Sequence, residues 1–499
     1  VTAFILIFSS LASSLTYPII TTSYGPVRGY EYHSKSGFVT EIFKKIPYAA
    51  PPTGERRWKK PFPQDKWNRT MDGTFFGPAC AQVPLNWKGH VTGLSEDCLT
   101  LNVYSSIKCR EVRTTCPVIL YIHGGAALFS GVTMFPDEVL VTNYAKQEVI
   151  LVTVSYRVGV FGVMALGDEH ALPANLAVHD ILESLRFVRS EIHNFGGDKD
   201  QITVMGHSTG ATIVGALVFS PAVNKVGKTP LFARAIGLST AMNFEMEEKQ
   251  VKVSHAVAAN LGCTGTAREI IECMRPLSTD EILQAASEIG GSDLFSLTQL
   301  SGITLAGELF PFRSMKELSE NQKDHMKALA PPTKLLLGSE LNEFRHPGQK
   351  MGTGPEYKYR VTDVLGVRNS EECVEKYNKD KETGTFDTDY DTVSQAIFMT
   401  TSIYGRAQAE AGGEIYLYQY DYLAHAMHAD DLYYIMGTQE HPMDENEQWL
   451  SRVYPVYFTN FAKGLAPAPD WTPLDPQLMN YYSINKSFTD EVVPRMKLG

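Results

Sequence analysis

Gln201 to Val214, QITVMGHSTGATIV, is the stretch on which the fold turns. It opens with the β-branched run Ile202, Thr203 and Val204, passes through Gly206-His207-Ser208-Thr209-Gly210, and ends in small, helix-compatible residues. That order predicts a strand, a sharp turn and a helix, with Ser208 at the apex. A G-x-S-x-G turn lifts a serine hydroxyl clear of a sheet, and the helix after it aims backbone N–H groups at any oxyanion formed alongside. With 39 glycines in 499 residues, the five-residue pattern arises by accident in roughly one such chain in five. It gains meaning only if partners for Ser208 lie downstream.

Outward from this stretch, Val118 to His123 and Val149 to Tyr156 are continuous apolar runs, as expected of central parallel strands covered on both faces. The apolar positions Leu176, Ile181, Leu182, Leu185, Val188 and Ile192 recur at helical spacing and predict a helix between Asn175 and Asn194. Ala235 to Leu238, Lys334 to Leu337 and Ile415 to Tyr422 read as further strands. Toward the N-terminus, Gly25 to Gly29 reads as a hairpin turn, Thr40 to Tyr48 as an extended run, and Leu99 to Tyr104 as an alternating strand. Glu247 to His325 is amphipathic and helical, with no linker setting it apart, and the stretch around Glu371 to Tyr377 is similar. The expectation is an α/β protein with a large, mostly parallel central sheet flanked by helices and carrying helical insertions over the site. Residues 17–499 are expected to form one domain.

Composition narrows the function. The chain is 43% hydrophobic and 20% charged, with a formal net charge of −11. This balance disfavours nucleic acid and anionic membrane as partners, because phosphates would be repelled. The N-terminal run Ala3 to Phe8, followed by Ser9, Ser10, Leu11, Ala12, Ser13 and Ser14, has the apolar core and small-residue exit of a signal peptide. It is too short to span a bilayer. Residues 1–16 are therefore read as a signal peptide, truncated at its start, and the protein as secreted or resident in the lumen of the secretory pathway. The seven cysteines form three sequence-local pairs and one remainder, Cys373. In a secreted chain this pattern implies disulfides rather than zinc, and proximity alone pairs Cys109 with Cys116 across a hairpin-like loop. Asn68-Arg69-Thr70 and Asn485-Lys486-Ser487 are glycosylation sequons. No pattern specifies an oligomer, and none calls for a metal or an organic cofactor.

A serine hydroxyl needs a base to take its proton, and the base needs a third group to hold its tautomer. The order serine, acid, histidine places the last two on loops after later strands. Glu340 and Glu343 follow the strand at Lys334, and His425 and His428 follow the strand at Ile415. On chemistry alone both choices stay open.

At this point the chain resembles the type-B carboxylesterase and cholinesterase family of α/β-hydrolases. The resemblance runs from about Gly25 to the final helix and rests on Ile46-Pro47-Tyr48-Ala49-Ala50-Pro51-Pro52, Ser95-Glu96-Asp97-Cys98-Leu99, Ile122-His123-Gly124-Gly125, Ser155-Tyr156-Arg157 and Phe195-Gly196-Gly197-Asp198. Gly206-His207-Ser208-Thr209-Gly210-Ala211 completes it. It implies Ser208 as nucleophile, Glu343 rather than Glu340 as acid, and His428 rather than His425 or His441 as base. By the same carry-over the oxyanion hole is Gly125, Ala126 and Thr209. Cys80–Cys98 and Cys263–Cys273 are implied disulfides, and Arg57–Glu96 and Arg157–Asp180 are implied structural ion pairs.

The chain also departs from the pattern. The family's third oxyanion-loop glycine is Ala126 here, the following aromatic is Ala127, and the small residue after the serine is Thr209. The glutamate before the serine is His207, and the glycine after the acid is Phe344. Without that glutamate, Trp87 in the Cys80–Cys98 loop reads as a loop anchor rather than a platform for a cation. The resemblance thus implies hydrolysis of small neutral carboxylic esters through an acyl-enzyme. The alternatives are a cholinesterase, or a catalytically silent relative acting in adhesion or recognition.

Overall fold

A computed structural model describes residues 17–84, 91, 93–111, 115–223, 230–240, 244–290, 300–310, 333–343, 371, 375, 378–379, 382–383, 392–422, 424–438, 441–486 and 495–497. Its main sheet contains β1 (Tyr30–His33), β2 (Val39–Pro47), β3 (Thr100–Ser106), β4 (Cys116–Ile122), β5 (Ile150–Val154), β6 (Gly197–His207), β7 (Arg234–Leu238), β8 (Lys334–Glu340), β9 (Ile415–Tyr420), β10 (Tyr481–Ile484) and β11 (Arg495–Lys497). Their spatial order is β11-β10-β9-β8-β7-β6-β4-β5-β3-β2-β1. The neighbours from β5 through β4 and β6 to β10 pair in parallel. Antiparallel pairs close both edges. This is the expected mostly parallel sheet, extended at each end by strands outside the region between Val118 and Tyr422.

The apolar runs form central strands because both faces of the sheet are covered. Val118, Leu120 and Ile122 of β4 pack into one core with Leu182, Leu185 and Val188 of α1 (Leu176–Glu191) and Ile213, Val214 and Leu217 of α2 (Thr209–Phe219). Ile119 and Tyr121, one residue out of phase, enter the opposite core with Leu140, Leu450, Tyr454 and Phe458. The period of two survives, with apolar residues on both faces.

Two local expectations change. β3 alternates in sequence but is buried at all seven positions. Its polar side chains are hydrogen-bonded instead of solvated: Asn102 Nδ2 donates to Thr153 Oγ1 at 2.9 Å, and Ser105 Oγ donates to the Phe195 carbonyl at 2.7 Å. The hairpin near Gly25 turns earlier than expected. Pro26–Arg28 is itself a strand paired with Ile19–Thr21, and the turn is Thr22 to Gly25, closed by the Thr22 N–H to the Gly25 carbonyl.

Cys80–Cys98, Cys109–Cys116 and Cys263–Cys273 are all bonded. The segment entering the second of these is a short helix, Ile107–Glu111, rather than part of a hairpin-like loop. Arg57 with Glu96 and Arg157 with Asp180 form buried, two-pronged ion pairs. The amphipathic insertion contains α3 (Glu247–Asn260), α4 (Ala267–Met274) and α5 (Thr279–Gly290). Arg57 Nη1 ties it to the body by donating to the Arg275 and Leu277 carbonyls. Cys373, Trp87, Phe344 and most of the stretch from Glu371 to Tyr377 lie outside the described residues.

Candidate active site

The order of strands reverses at β4, which has β6 on one side and β5 on the other. In open α/β sheets a ligand sits beyond the carboxyl ends of the strands at such a point. Ser208 follows β6 there, with φ 56° and ψ −123°. A side chain in that conformation is strained, and its surroundings hold it in place. The Ser208 N–H donates to the Leu238 carbonyl at 2.9 Å. A Cβ on Gly206 would lie 2.3 Å from the Gly210 carbonyl carbon, and one on Gly210 would lie 2.3 Å from the Ile122 carbonyl oxygen. Both glycines are therefore required by the close approach of strand, turn and helix.

Two other loops meet this turn. Glu343 lies beyond the end of β8 and His428 in the loop after β9, and their segments are bound to one another along the backbone. The Asn342 N–H donates to the Ala426 carbonyl at 2.9 Å, and the His428 N–H to the Glu343 carbonyl at 2.6 Å. His428 Nε2 lies 2.9 Å from Ser208 Oγ, and His428 Nδ1 lies 2.6 Å from Glu343 Oε2. The Glu343 side chain is fully buried, whereas that of His428 keeps 16% of its exposure. A carboxylate on Nδ1 fixes that nitrogen as the protonated one and leaves Nε2 to accept the serine proton. The arrangement can activate a hydroxyl nucleophile and stabilise an imidazolium. Of the alternatives left open by chemistry, His425 turns instead to Glu447, 2.5 Å from its Nδ1. Glu340 is buried beside Glu343 and does not touch the serine–histidine line.

The loop after β4 borders the same point. Gly125, Ala126 and Ala127 all have positive φ, at 98°, 55° and 49°. Glycine adopts such angles freely, whereas alanine does so at a cost of about 1 kcal/mol. Contacts on both sides hold the alanines there: the Ala126 carbonyl accepts from the Gly302 N–H and the Ala127 carbonyl from the Gly159 N–H, each at 2.6 Å. Among the described residues the N–H groups of Gly125, Ala126 and Thr209 have no backbone acceptor outside regular elements. His123 and Tyr156 stand within two of the family motifs, and nothing in the sequence assigns either of them a task. The rings stack at 4.4 Å, Tyr156 Oη donates to the His123 carbonyl at 2.8 Å, and the pair braces the loop's entry. Burial lowers the His123 pKa to about 4, so this brace is neutral at pH 7.

His207 is buried next to Ser208, its ring 4.9 Å from that of His428. Burial first, and the neighbouring His428 second, push its pKa well below the ordinary imidazole value. The residue in place of the expected glutamate is thus an uncharged ring.

A strand–Ser–helix elbow on a reversing parallel sheet, with a histidine and a buried carboxylate lined up behind the hydroxyl, defines a serine hydrolase of the α/β-hydrolase fold. The chain matches the carboxylesterase family over residues 16–497. It is 28% identical over 515 residues to "Carboxylesterase 1C" of Rattus norvegicus, covering 92% of this chain and 88% of that one. It is also 33% identical over 296 residues to "Juvenile hormone esterase" of Tribolium castaneum, covering 58% of this chain and 49% of that one. Among solved structures, a "PNB ESTERASE" superposes with a TM-score of 0.77 at 25% identity, covering 97% of this chain and 98% of that one. The protein belongs to the carboxylesterase family. It is a carboxylic ester hydrolase.

Proposed function

We propose that the protein is a secreted or lumenal esterase in which Ser208, His428 and Glu343 form the catalytic triad. The observation carrying this reading is the line from Ser208 Oγ through the His428 ring to the Glu343 carboxylate, at 2.9 and 2.6 Å. Ser208 attacks the ester carbonyl, and His428 takes its proton and passes it to the leaving alkoxide. Water then repeats the sequence to release the acid and free the serine. Backbone N–H groups of Gly125, Ala126 and Thr209 stabilise the tetrahedral oxyanion, each contributing ~3–4 kcal/mol.

The preferred substrate is a neutral ester. His207 puts an uncharged ring where a carboxylate would favour a quaternary ammonium. Residues 17–499 form the single domain that carries this chemistry. Three disulfides support passage through an oxidising compartment, and Asn68 is exposed and open to glycosylation. Asn485 is half-buried at the end of β10 and is the poorer acceptor of the two sequons. Among the described residues no helix is long and apolar enough to cross a membrane.

Competitive turnover of p-nitrophenyl acetate and acetylthiocholine tests the substrate reading. The neutral ester should have the higher kcat/KM; a strong preference for the choline ester would overturn it.

A further inference from the structure

Glu340 is bonded to Glu343 and to the residue that follows His428. Its backbone N–H donates to Glu343 Oε1, and its own Oε1 accepts the N–H of Ala429, the residue after His428, both at 2.8 Å. Glu340 also belongs to a buried cluster with Asp431 and His207, in which one ligating atom from each residue lies within 4.8 Å of the other two. Asp431 Oδ2 accepts from Tyr454 Oη at 2.9 Å. Among the described residues His207 Nε2 has no hydrogen-bond partner, and Glu340 Oε2 and Asp431 Oδ1 have none as long as both acids are ionised. Two carboxylates facing each other in a buried site, with a third at Glu343, would repel strongly. A proton between them removes one charge and supplies the missing hydrogen bond. The resemblance expects a carboxyl at 207, and this chain brings one into the cluster from β8 instead.

We propose that Glu340 and Asp431 share one proton and act as a single buried negative charge beside His428, with Glu340 the positioning residue for both Glu343 and His428. The proposal rests on the triad reading above. The titratable groups facing the pair are His207 at the end of β6, Glu343, His428 and Asp430 in the two loops, Tyr418 and Tyr420 of β9, Tyr144, Tyr454 of α6 (Glu445–Ala462) and Tyr121 of β4. Burial holds the five tyrosines neutral by raising their pKa values. The pair's remaining charge therefore acts chiefly on the imidazolium that His428 becomes during turnover.

The test has two parts. An infrared spectrum of the intact protein at neutral pH should contain the carbonyl band of a buried protonated carboxylic acid, and Glu340→Gln should abolish it. This reads the shared proton whether or not the protein turns over an ester, so its failure is distinct from failure of the triad. Glu340→Gln can still accept from Ala429 and can donate to Asp431, so the acid limb of kcat/KM should stay in place. In Glu340→Gln/Asp431→Asn the cluster is uncharged. The limb should then move down by about one pH unit, and kcat should fall about tenfold with little change in KM. No carboxylic-acid band in the wild type, or an unmoved limb in a folded double variant, would overturn the proposal.

Discussion

His428 is attached to Glu343 twice: its Nδ1 lies 2.6 Å from the Glu343 Oε2, and its backbone N–H donates to the Glu343 carbonyl oxygen, also at 2.6 Å. The backbone contact holds the histidine near the serine without the carboxylate, while the carboxylate alone sets tautomer and charge. Glu343→Gln should therefore preserve the fold and lower kcat by roughly 10³–10⁴-fold, with KM changing far less. Steady-state kinetics alongside circular dichroism checks this; a loss below tenfold in a folded variant would remove Glu343 from the triad.

Ala126 works in a conformation suited to glycine. Ala126→Gly removes the strain of φ 55° but adds unfolded-state entropy, so stability should change by less than about 1 kcal/mol and activity should persist. Ala126→Val cannot hold that angle without moving its N–H, and kcat should fall by about 10–100-fold. Equal kinetics for the two variants would show that the Ala126 N–H does not serve the oxyanion.

Gly210 lies so close to β4 that an added Cβ would sit 2.3 Å from the Ile122 carbonyl. Gly210→Ala should destabilise the protein by about 1–3 kcal/mol and shift the elbow. Thermal unfolding and turnover should both register the change.

His207→Glu restores the acid that the family resemblance expects, but sets it against Glu340 and Asp431. Alone it should destabilise, because a third carboxyl enters the buried cluster. With Glu340→Gln it should be tolerated, with a coupling of at least about 1 kcal/mol in a double-mutant cycle. Additive effects would show that the residues do not sense one another.

Burial, with neighbouring acids second, raises Glu340 well above the ordinary carboxylate range, and burial raises Asp431 to about 7. In this window the folded state binds more protons than the unfolded one, so the pair's contribution to stability falls as pH rises from the ordinary carboxylate value toward 7. Glu340→Gln removes part of that fall. Its stability relative to wild type should improve from pH 5 to pH 8, as read by thermal midpoints at the two values.

Much of this architecture was legible because the chemistry is local. The elbow at Ser208, the apolar runs of β4 and β5 and the helix before β6 each carry their signal within a few residues. β3 misled because hydrogen bonds inside the sheet satisfy its polar residues, a circumstance its alternation cannot reveal. Strand β10 and its edge neighbour β11 lack a periodic run long enough to stand out. Choosing Glu343 over Glu340 required the family resemblance, since the two lie three residues apart and only the fold shows that Glu340 closes β8 whereas Glu343 lies in the loop beyond it. The cluster of His207, Glu340 and Asp431 was invisible for a simpler reason: it joins the ends of β6 and β8 to a loop after β9, and only the folded sheet brings these together.

The central claim is that Ser208 is the nucleophile. Reaction of the folded protein with a fluorophosphonate probe, followed by peptide mass spectrometry, tests it most directly. One equivalent should attach per chain, on Ser208, with parallel loss of p-nitrophenyl acetate turnover, and Ser208→Ala should take up none. Labelling that persists in folded Ser208→Ala, or folded wild-type protein that takes up no probe, would contradict it.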